Sequence, residues 1–513
     1  MSLFPGRLGA SSRRDLLVGA IAVVAVLGLA VAAPGEVGFL LAGLAVGVAV
    51  FALALTDPLL ALLLVVVSSF LRTPQKEFVS AEALTPAFWA MIIALALALA
   101  RRAKDFPRLG AVEWLMAAYI AWNIVSMLIP HEYDAVDPIS GTPIDVYRWL
   151  FSGVLLPLVV YVVAKSVLDD ERSVRWLLWT TVAMAAYSSW VSILQFHGPK
   201  SLVWPDYIVD EPNWEGRANG VFNQPVVNGL ILVIGFVVCL FLADRPGTRR
   251  WVRYGLWGLA AAAAYSVYLT HTRAALLALV VVVGLGIVFA GGWRRGFVAS
   301  AVLGLVAVAA NASTFFSSDR SAGGVGSSNE VYDRLNIMAT SLRAVAEHPF
   351  VGIGLGRFEV YNTYEHVAWS QEIDWNRGWG IISHENELGI AAELGVPGVL
   401  LWIAVLVTVV WTLWRAIREL PRDEFLGAPL AVVGAMAMAV LLVNGLTVDL
   451  RILDFASMLP FLYAGMVAGQ LDRFRVRRPE RRSGTVGAGL PGGMSAAEVA
   501  EWEAEQRRPV AAR

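Results

Sequence analysis

Apolar residues arrive in blocks of roughly 15 to 20, the length that crosses a hydrocarbon core, and short polar stretches separate them. The blocks predict about fourteen membrane helices, near 16–33, 37–55, 58–71, 86–100, 112–129, 148–164, 175–196, 225–242, 254–270, 274–290, 297–312, 397–414, 427–446 and 455–470. Polar connections alternate in character. One set is basic ("RRAKDFPR", "DRPGTRRWVR", "GGWRRG", "WRAIRELPR", "DRFRVRRPERR"), and the other is acidic or mixed ("PHEYDAVDP", "HGPKSLVWPDYIVDEPNWEGRANG"). Excess Lys and Arg marks the cytoplasmic side, so both termini are expected inside and the long loops outside. The predicted fold is an all-α polytopic membrane protein. Its expected divisions are 1–312, an N-terminal bundle of about eleven spans; 313–396, a large external loop; 397–472, the C-terminal spans; and 473–513, a mostly disordered cytoplasmic tail with one short helix near "SAAEVAEWEAEQ".

Composition supports the membrane reading. The 513 residues are 57% hydrophobic and 16% charged, with mean hydropathy +0.63, against about 25% charged in a soluble chain. The formal net charge of -1 excludes nothing by itself. A lone cysteine, Cys239, within an apolar block permits neither an intramolecular disulfide nor a thiolate zinc site. "SSRRDLL" resembles a twin-arginine signal, but it reads better as the basic flank of a first membrane helix.

Loop 313–396 is too long for a mere connection, so function is expected there. In "NEVYDRLNIMATSLRAVAEHPF", Val331, Leu335, Met338, Leu342 and Val345 recur at helical spacing and predict an amphipathic surface helix, with Arg334 and Arg343 off the centre of the stripe. "SHENELGIAAELGVPGVL" predicts a helix capped by Ser383, beginning at His384 and running to the "GVPG" break. A histidine at that end feels the positive pole of the helix, which favours the neutral imidazole that a general base requires. Arg273, in "YLTHTRAALLALVVVV", sits where one span ends and the next begins; a charge at that depth faces a cavity or partner, or snorkels to the interface. No pair of the six histidines has i, i+4 spacing, so no histidine metal site is expected. "GIGLGRF" does not follow a strand and misplaces its third glycine for a dinucleotide loop; a tight turn suffices. Trp204, Trp214, Tyr361, Tyr364, Trp369, Trp375 and Trp379 crowd the outer loops, as an interfacial belt or as flat faces for sugar rings.

The order "THTRAALLAL", "DRLNIMATSLRAVAEHPFVGIGLGRF", "SHENELGIAAELGVPGVL" resembles the O-antigen ligase and O-antigen polymerase superfamily across about residues 215–405. The resemblance implies a metal-independent, inverting glycosyltransferase with a C-type membrane fold and no cofactor. Such an enzyme moves a glycan from an undecaprenyl diphosphate carrier to an acceptor hydroxyl at the outer face of a bacterial cytoplasmic membrane. It implies catalytic roles for His384, Arg273 and Arg334. "GRANGVFNQPVVNGL" is similar to the family's segment entering a span and brings in Arg217, Asn223 and Asn228 as substrate-binding residues, which Glu385, Asn386 and Arg343 complete. The chain departs from the family at Glu385, where asparagine commonly follows the histidine; Asn386 comes one place later. Expected partners are the lipid-linked donor, a glycan, lipid or protein acceptor, and the bilayer; no nucleic acid is expected. A polymerase or a protein O-oligosaccharyltransferase shares the motifs. A transporter or flippase of lipid-linked sugars is the alternative from another class, although it would place ionisable groups in mid-span.

Overall fold

The computed structural model describes residues 47, 50–78, 82–319, 323–326, 328–375 and 380–487. Among them the protein is all-helical, with an isolated bridge between Val136 and Pro143 and no strand. The principal helices are α1 (Pro58–Phe70), α2 (Arg72–Phe78), α3 (Leu84–Ala100), α4 (Ala111–Leu128), α5 (Val146–Val167), α6 (Glu171–His197), α7 (Pro225–Ala243), α8 (Arg250–Leu269), α9 (Arg273–Phe289), α10 (Arg295–Ala310), α11 (Asn329–Glu347), α12 (Phe358–Tyr364), α13 (Asn386–Glu419), α14 (Ala428–Gly445) and α15 (Asp454–Gly487). A helix lies at twelve of the fourteen predicted span positions. The first predicted span, 16–33, and most of the second, 37–55, fall outside the described residues, as does the predicted helix near 495–506.

Six helices (α4, α5, α6, α7, α13 and α14) are long and apolar enough to cross a membrane. Four others, α1, α3, α9 and α10, are apolar but shorter. At 13 residues, α1 reaches only about 20 Å, short of a hydrocarbon core of about 30 Å. Six spans are therefore supported directly, and fourteen are not. The last helix continues through Gly487, so the segment expected to be a mostly disordered tail begins as helix.

Local chemistry starts and stops these helices. Asp57 caps α1 by accepting from the Leu59 N–H, with Pro58 behind it, and Asp170 caps α6 through Ser173. At the centre lies α7, with all 19 residues buried against its neighbours. Gly465 and Gly469, one turn apart on α15, lie against the α5 backbone at Tyr161 and Lys165, where a Cβ would clash. Such small residues let membrane helices approach closely. α5 is widened by a π-helical turn, Leu150–Leu155, whose Gly153 leaves room for the backbone of Arg451.

The two ends of the bundle differ. One carries ion pairs from the basic connections: Lys104–Asp169 (2.6 Å), Lys165–Glu113 (2.5 Å) and Arg475–Glu419 (2.9 Å). At the other end, Ser69 donates to Asp454 (2.7 Å), Arg72 pairs with Asp454 (3.0 Å), and Arg451 lies between Asp449 and Glu393. The helical parts of 313–396 pack at this second end, around a small core of Ile337, Ala344, Ile353, Phe358, Tyr361 and Ala392.

Candidate functional site

The THTR turn is the first wall of the site. Thr270, His271 and Thr272 are buried, and His271 takes a left-handed conformation (φ 44°) so that the chain can reverse between α8 and α9. Arg273 is the first residue of α9. A cation there opposes the helix dipole, so its presence does not serve helix stability. Arg217 is strapped to the same turn: its guanidinium donates to the Thr270 carbonyl (3.2 Å) and the Thr272 hydroxyl (2.8 Å) and lies over the Trp214 ring. Arg334 reaches the same region from α11. Burial and the Arg334 charge pull the Arg217 pKa down to about 10, and burial and the Arg273 charge pull Arg334 down as well. Arg217 and Arg334 remain cations near neutrality. Among the described residues, no carboxylate forms an ion pair with Arg217 or Arg334.

The second wall comes from α13. A cavity of about 40 Å³ is lined by Arg334, Ile337, Met338 and Ser341 of α11, by Ser383, His384, Glu385 and Leu388, and by Leu446 at the end of α14. His384 Nδ1 lies 3.1 Å from the Ile382 carbonyl. A carbonyl only accepts, so Nδ1 carries the proton and Nε2 is the basic nitrogen. Glu385 is half-buried; burial and then the Glu387 charge raise its carboxyl above the usual range.

Two expectations need correction. The helix begins at Asn386, not His384, and Ser383 does not cap it. Instead, the Ser383 hydroxyl donates to the Glu385 carbonyl (2.7 Å) and accepts from the Glu385 N–H (3.3 Å), a tight turn that competes with capping. α11 turns Asp333, Asn336, Ile337, Thr340, Ser341 and Ala344 to the interior and leaves Val331 and Leu342 of its apolar stripe exposed, compatible with the expected surface helix. The polar inner face is satisfied by a loop folded over it: Asn336 accepts from the Trp369 N–H (2.7 Å) and donates to the Asp374 carbonyl (3.2 Å), and Thr340 accepts from Val367 (3.0 Å). Arg343 lies apart from the cavity, half-exposed and braced by Glu347 (2.8 Å) and Glu365 (3.0 Å).

Other predicted substrate-binding residues support the walls from behind. Asn228 is fully buried and donates to Ser192 (3.0 Å) and to the Ala218 carbonyl (3.1 Å), fixing the segment that carries Arg217. Asn223, left-handed at φ 50°, donates to Glu211 and accepts from Asn219. Asn386 accepts from the Leu450 N–H (3.2 Å). Among the aromatics, Tyr361 is fully buried, Trp375 stacks on His366, and Trp204, Tyr364 and Trp369 are exposed; Trp379 lies outside the described residues.

The "GVPG" break is a kink at Gly395 (φ 69°, ψ -176°), where a Cβ would meet the Phe350 carbonyl. The glycine turn supplies the bonds that the kink releases: Ile353 and Gly354 N–H groups donate to the Ala392 and Glu393 carbonyls (2.9 Å each), and the Val396 N–H donates to Pro349 (2.7 Å). The "GIGLGRF" backbone is thus engaged by α13.

Sequence reasoning overlooked Arg451. It is 3% exposed, bonded to Asp449 and to Glu393 (2.7 Å), and lies beneath the helix that follows His384. A lone "DLR" beside an apolar block gives no sign of a partner 58 positions away.

A comparison with curated proteins found no match. Residues 257–403, from α8 to the middle of α13, match the family model described as O-antigen ligase, and they include Arg273, Arg334 and His384. The chain carries a domain of the O-antigen ligase superfamily.

Proposed function

We propose that the protein transfers a glycan from an undecaprenyl diphosphate carrier to an acceptor hydroxyl at the outer face of a bacterial cytoplasmic membrane, with inversion and without a divalent metal. The observation that carries this reading is the pair Arg217 and Arg334, guanidiniums near enough to repel each other and without a carboxylate partner among the described residues, with Arg273 close to Arg334 and Arg334 lining the His384 cavity. Such a pair suits an anionic ligand, and guanidinium forks match phosphate oxygens. His384 Nε2 takes the acceptor hydroxyl proton as that oxygen attacks the anomeric carbon. The bond from this carbon to the diphosphate oxygen breaks, and its electron pair leaves on the diphosphate. The arginines stabilise that charge where water is partly excluded. The family match supports a ligase or polymerase and leaves the acceptor to the chemistry of the site.

The test uses purified protein in nanodiscs with an undecaprenyl diphosphate glycan. Glycan transfer that persists under strong chelation is expected. Loss of turnover that magnesium or manganese restores would overturn the arginine mechanism.

A further inference from the structure

The end of the bundle away from His384 holds a second group of arginines, which the proposed reaction does not use. α7 ends at Ala243, and side chains close the orphan carbonyls of its last turn. Arg245 donates from Nε to Phe241 (3.2 Å), Arg253 from Nε to Ala243 (3.0 Å), and the Thr248 hydroxyl to Leu242 (3.1 Å). A guanidinium carries five N–H groups, so this cap leaves most of each fork over. Among the described residues neither Arg245 nor Arg253 makes an ion pair. The Arg245 guanidinium lies 4.3 Å over the Phe241 ring, that ring packs on Phe425 (centroids 5.5 Å), and Arg175, paired with Glu171, lies 4.3 Å over Phe425. Burial lowers the Arg245 pKa; Asp244 offsets part of the fall and the Arg175 charge adds to it.

The charge continues into α8. Residues 245–253 hold Arg245, Arg249, Arg250 and Arg253 and no carboxylate. Arg249 and Arg250 are exposed, and α8 begins without a side-chain cap or an acidic residue in its first turn. The positive pole of the helix therefore adds to these cations. One turn apart beside them, Trp251 and Tyr254 are each 71% exposed. Rings so placed at a basic helix end suit the headgroup layer of a bilayer.

We propose that the corner between α7 and α8 is a docking surface for a phospholipid of net negative headgroup, with its phosphate among Arg245, Arg249 and Arg250 and its glycerol region against Trp251 and Tyr254. Guanidinium forks match phosphate oxygens. A zwitterionic headgroup would bring a cation of its own to a segment that has no carboxylate to receive it. A soluble phosphate compound would leave the two rings without a role. The surface lies away from the His384 cavity, so the inference is independent of the transfer reaction.

The experiment uses the full chain in nanodiscs of equal parts phosphatidylcholine and phosphatidylglycerol, with each lipid in turn carrying a spin label on its acyl chain. The fraction of label immobilised on the protein gives the preference between the two headgroups. The parent should prefer phosphatidylglycerol on the order of 10-fold, and Arg249→Gln with Arg250→Gln should lower that preference about fivefold, from about 1 kcal/mol for an arginine near an anionic surface. Both residues are exposed and outside the α7 cap, so the pair should leave the fold intact. Arg101→Gln with Arg102→Gln removes the same charge from the exposed connection between α3 and α4 and should leave the preference unchanged. A parent without a preference overturns the inference. An equal loss from both double variants also overturns it, because the attraction would then belong to the whole basic end and not to this corner.

Discussion

His384 and the arginines differ in what they would hold, so their replacements should fail differently. In the proposed reaction His384 would meet the acceptor proton, and Arg334 and Arg273 the diphosphate. His384→Ala should lower kcat by about 10²- to 10⁴-fold, the usual worth of general-base assistance, with donor affinity largely kept. Arg334→Ala and Arg273→Ala should weaken donor binding as well as turnover, and lysine should rescue poorly because it lacks the bidentate fork. Donor titration and single-turnover rates on membrane-inserted variants separate the two classes. Near-normal turnover of His384→Ala would remove it as the base. Arg343, close to Arg334 in sequence, is the internal contrast: its two carboxylate partners already neutralise it.

At the scale of the element, the site depends on pieces that brace one another. α13 breaks at Gly395, the glycine turn bonds to the break, and α12 follows that turn; Glu393 accepts from the Phe358 N–H at its start (3.2 Å). Glu359, on the same short helix, is the titratable strain point. Burial first, then the charges of Asp137 and Glu393, push its carboxyl up to about 7 from an ordinary 4.5. The folded state therefore binds that proton more tightly than the unfolded chain. Its contribution to stability is greatest at low pH, falls as pH rises from about 4.5 to 7, and is level above that. Glu359→Gln should remove the slope, stabilising the protein at pH 8 by about 1 kcal/mol after screening at a half-exposed site is allowed for, with the gain shrinking toward zero at pH 5. Thermal unfolding at the two pH values checks the sign, and an equal gain at both would refute it.

For the whole molecule, the decisive feature is that the arginine and histidine walls gather at the end of the bundle opposite the basic connections. By the positive-inside tendency we propose that this end is the outer one. In a Cys239→Ser background, Ser140→Cys, exposed in the loop before α5, should react with an impermeant thiol reagent on intact cells, whereas Asp423→Cys, exposed between α13 and α14, should react only after permeabilisation. The reverse pattern would invert the protein and put the site on the wrong side for the proposed donor.

Much of this was legible in the sequence because it depends on short-range signals. Apolar block length marked α1, α3 to α10 and α13 to α15, glycine and proline marked the break at Gly395, and the order of three polar motifs singled out His384, Arg273 and Arg334 as candidates. Other features required the tertiary structure, because they are contacts between distant segments. Periodicity identified α11 as a surface helix but could not show that its opposite, polar side is buried and satisfied by a loop some thirty residues later. Ser383 had the chemistry of a cap, yet it closed a turn with Glu385. Arg343 and Arg334 are both arginines on one helix; only packing makes one a braced surface cation and the other a cavity wall. The buried Arg451 pair with Glu393 joins residues 58 positions apart. Hydrophobic pattern is written residue by residue, whereas electrostatic pairing and hydrogen-bond satisfaction are settled by which segments meet.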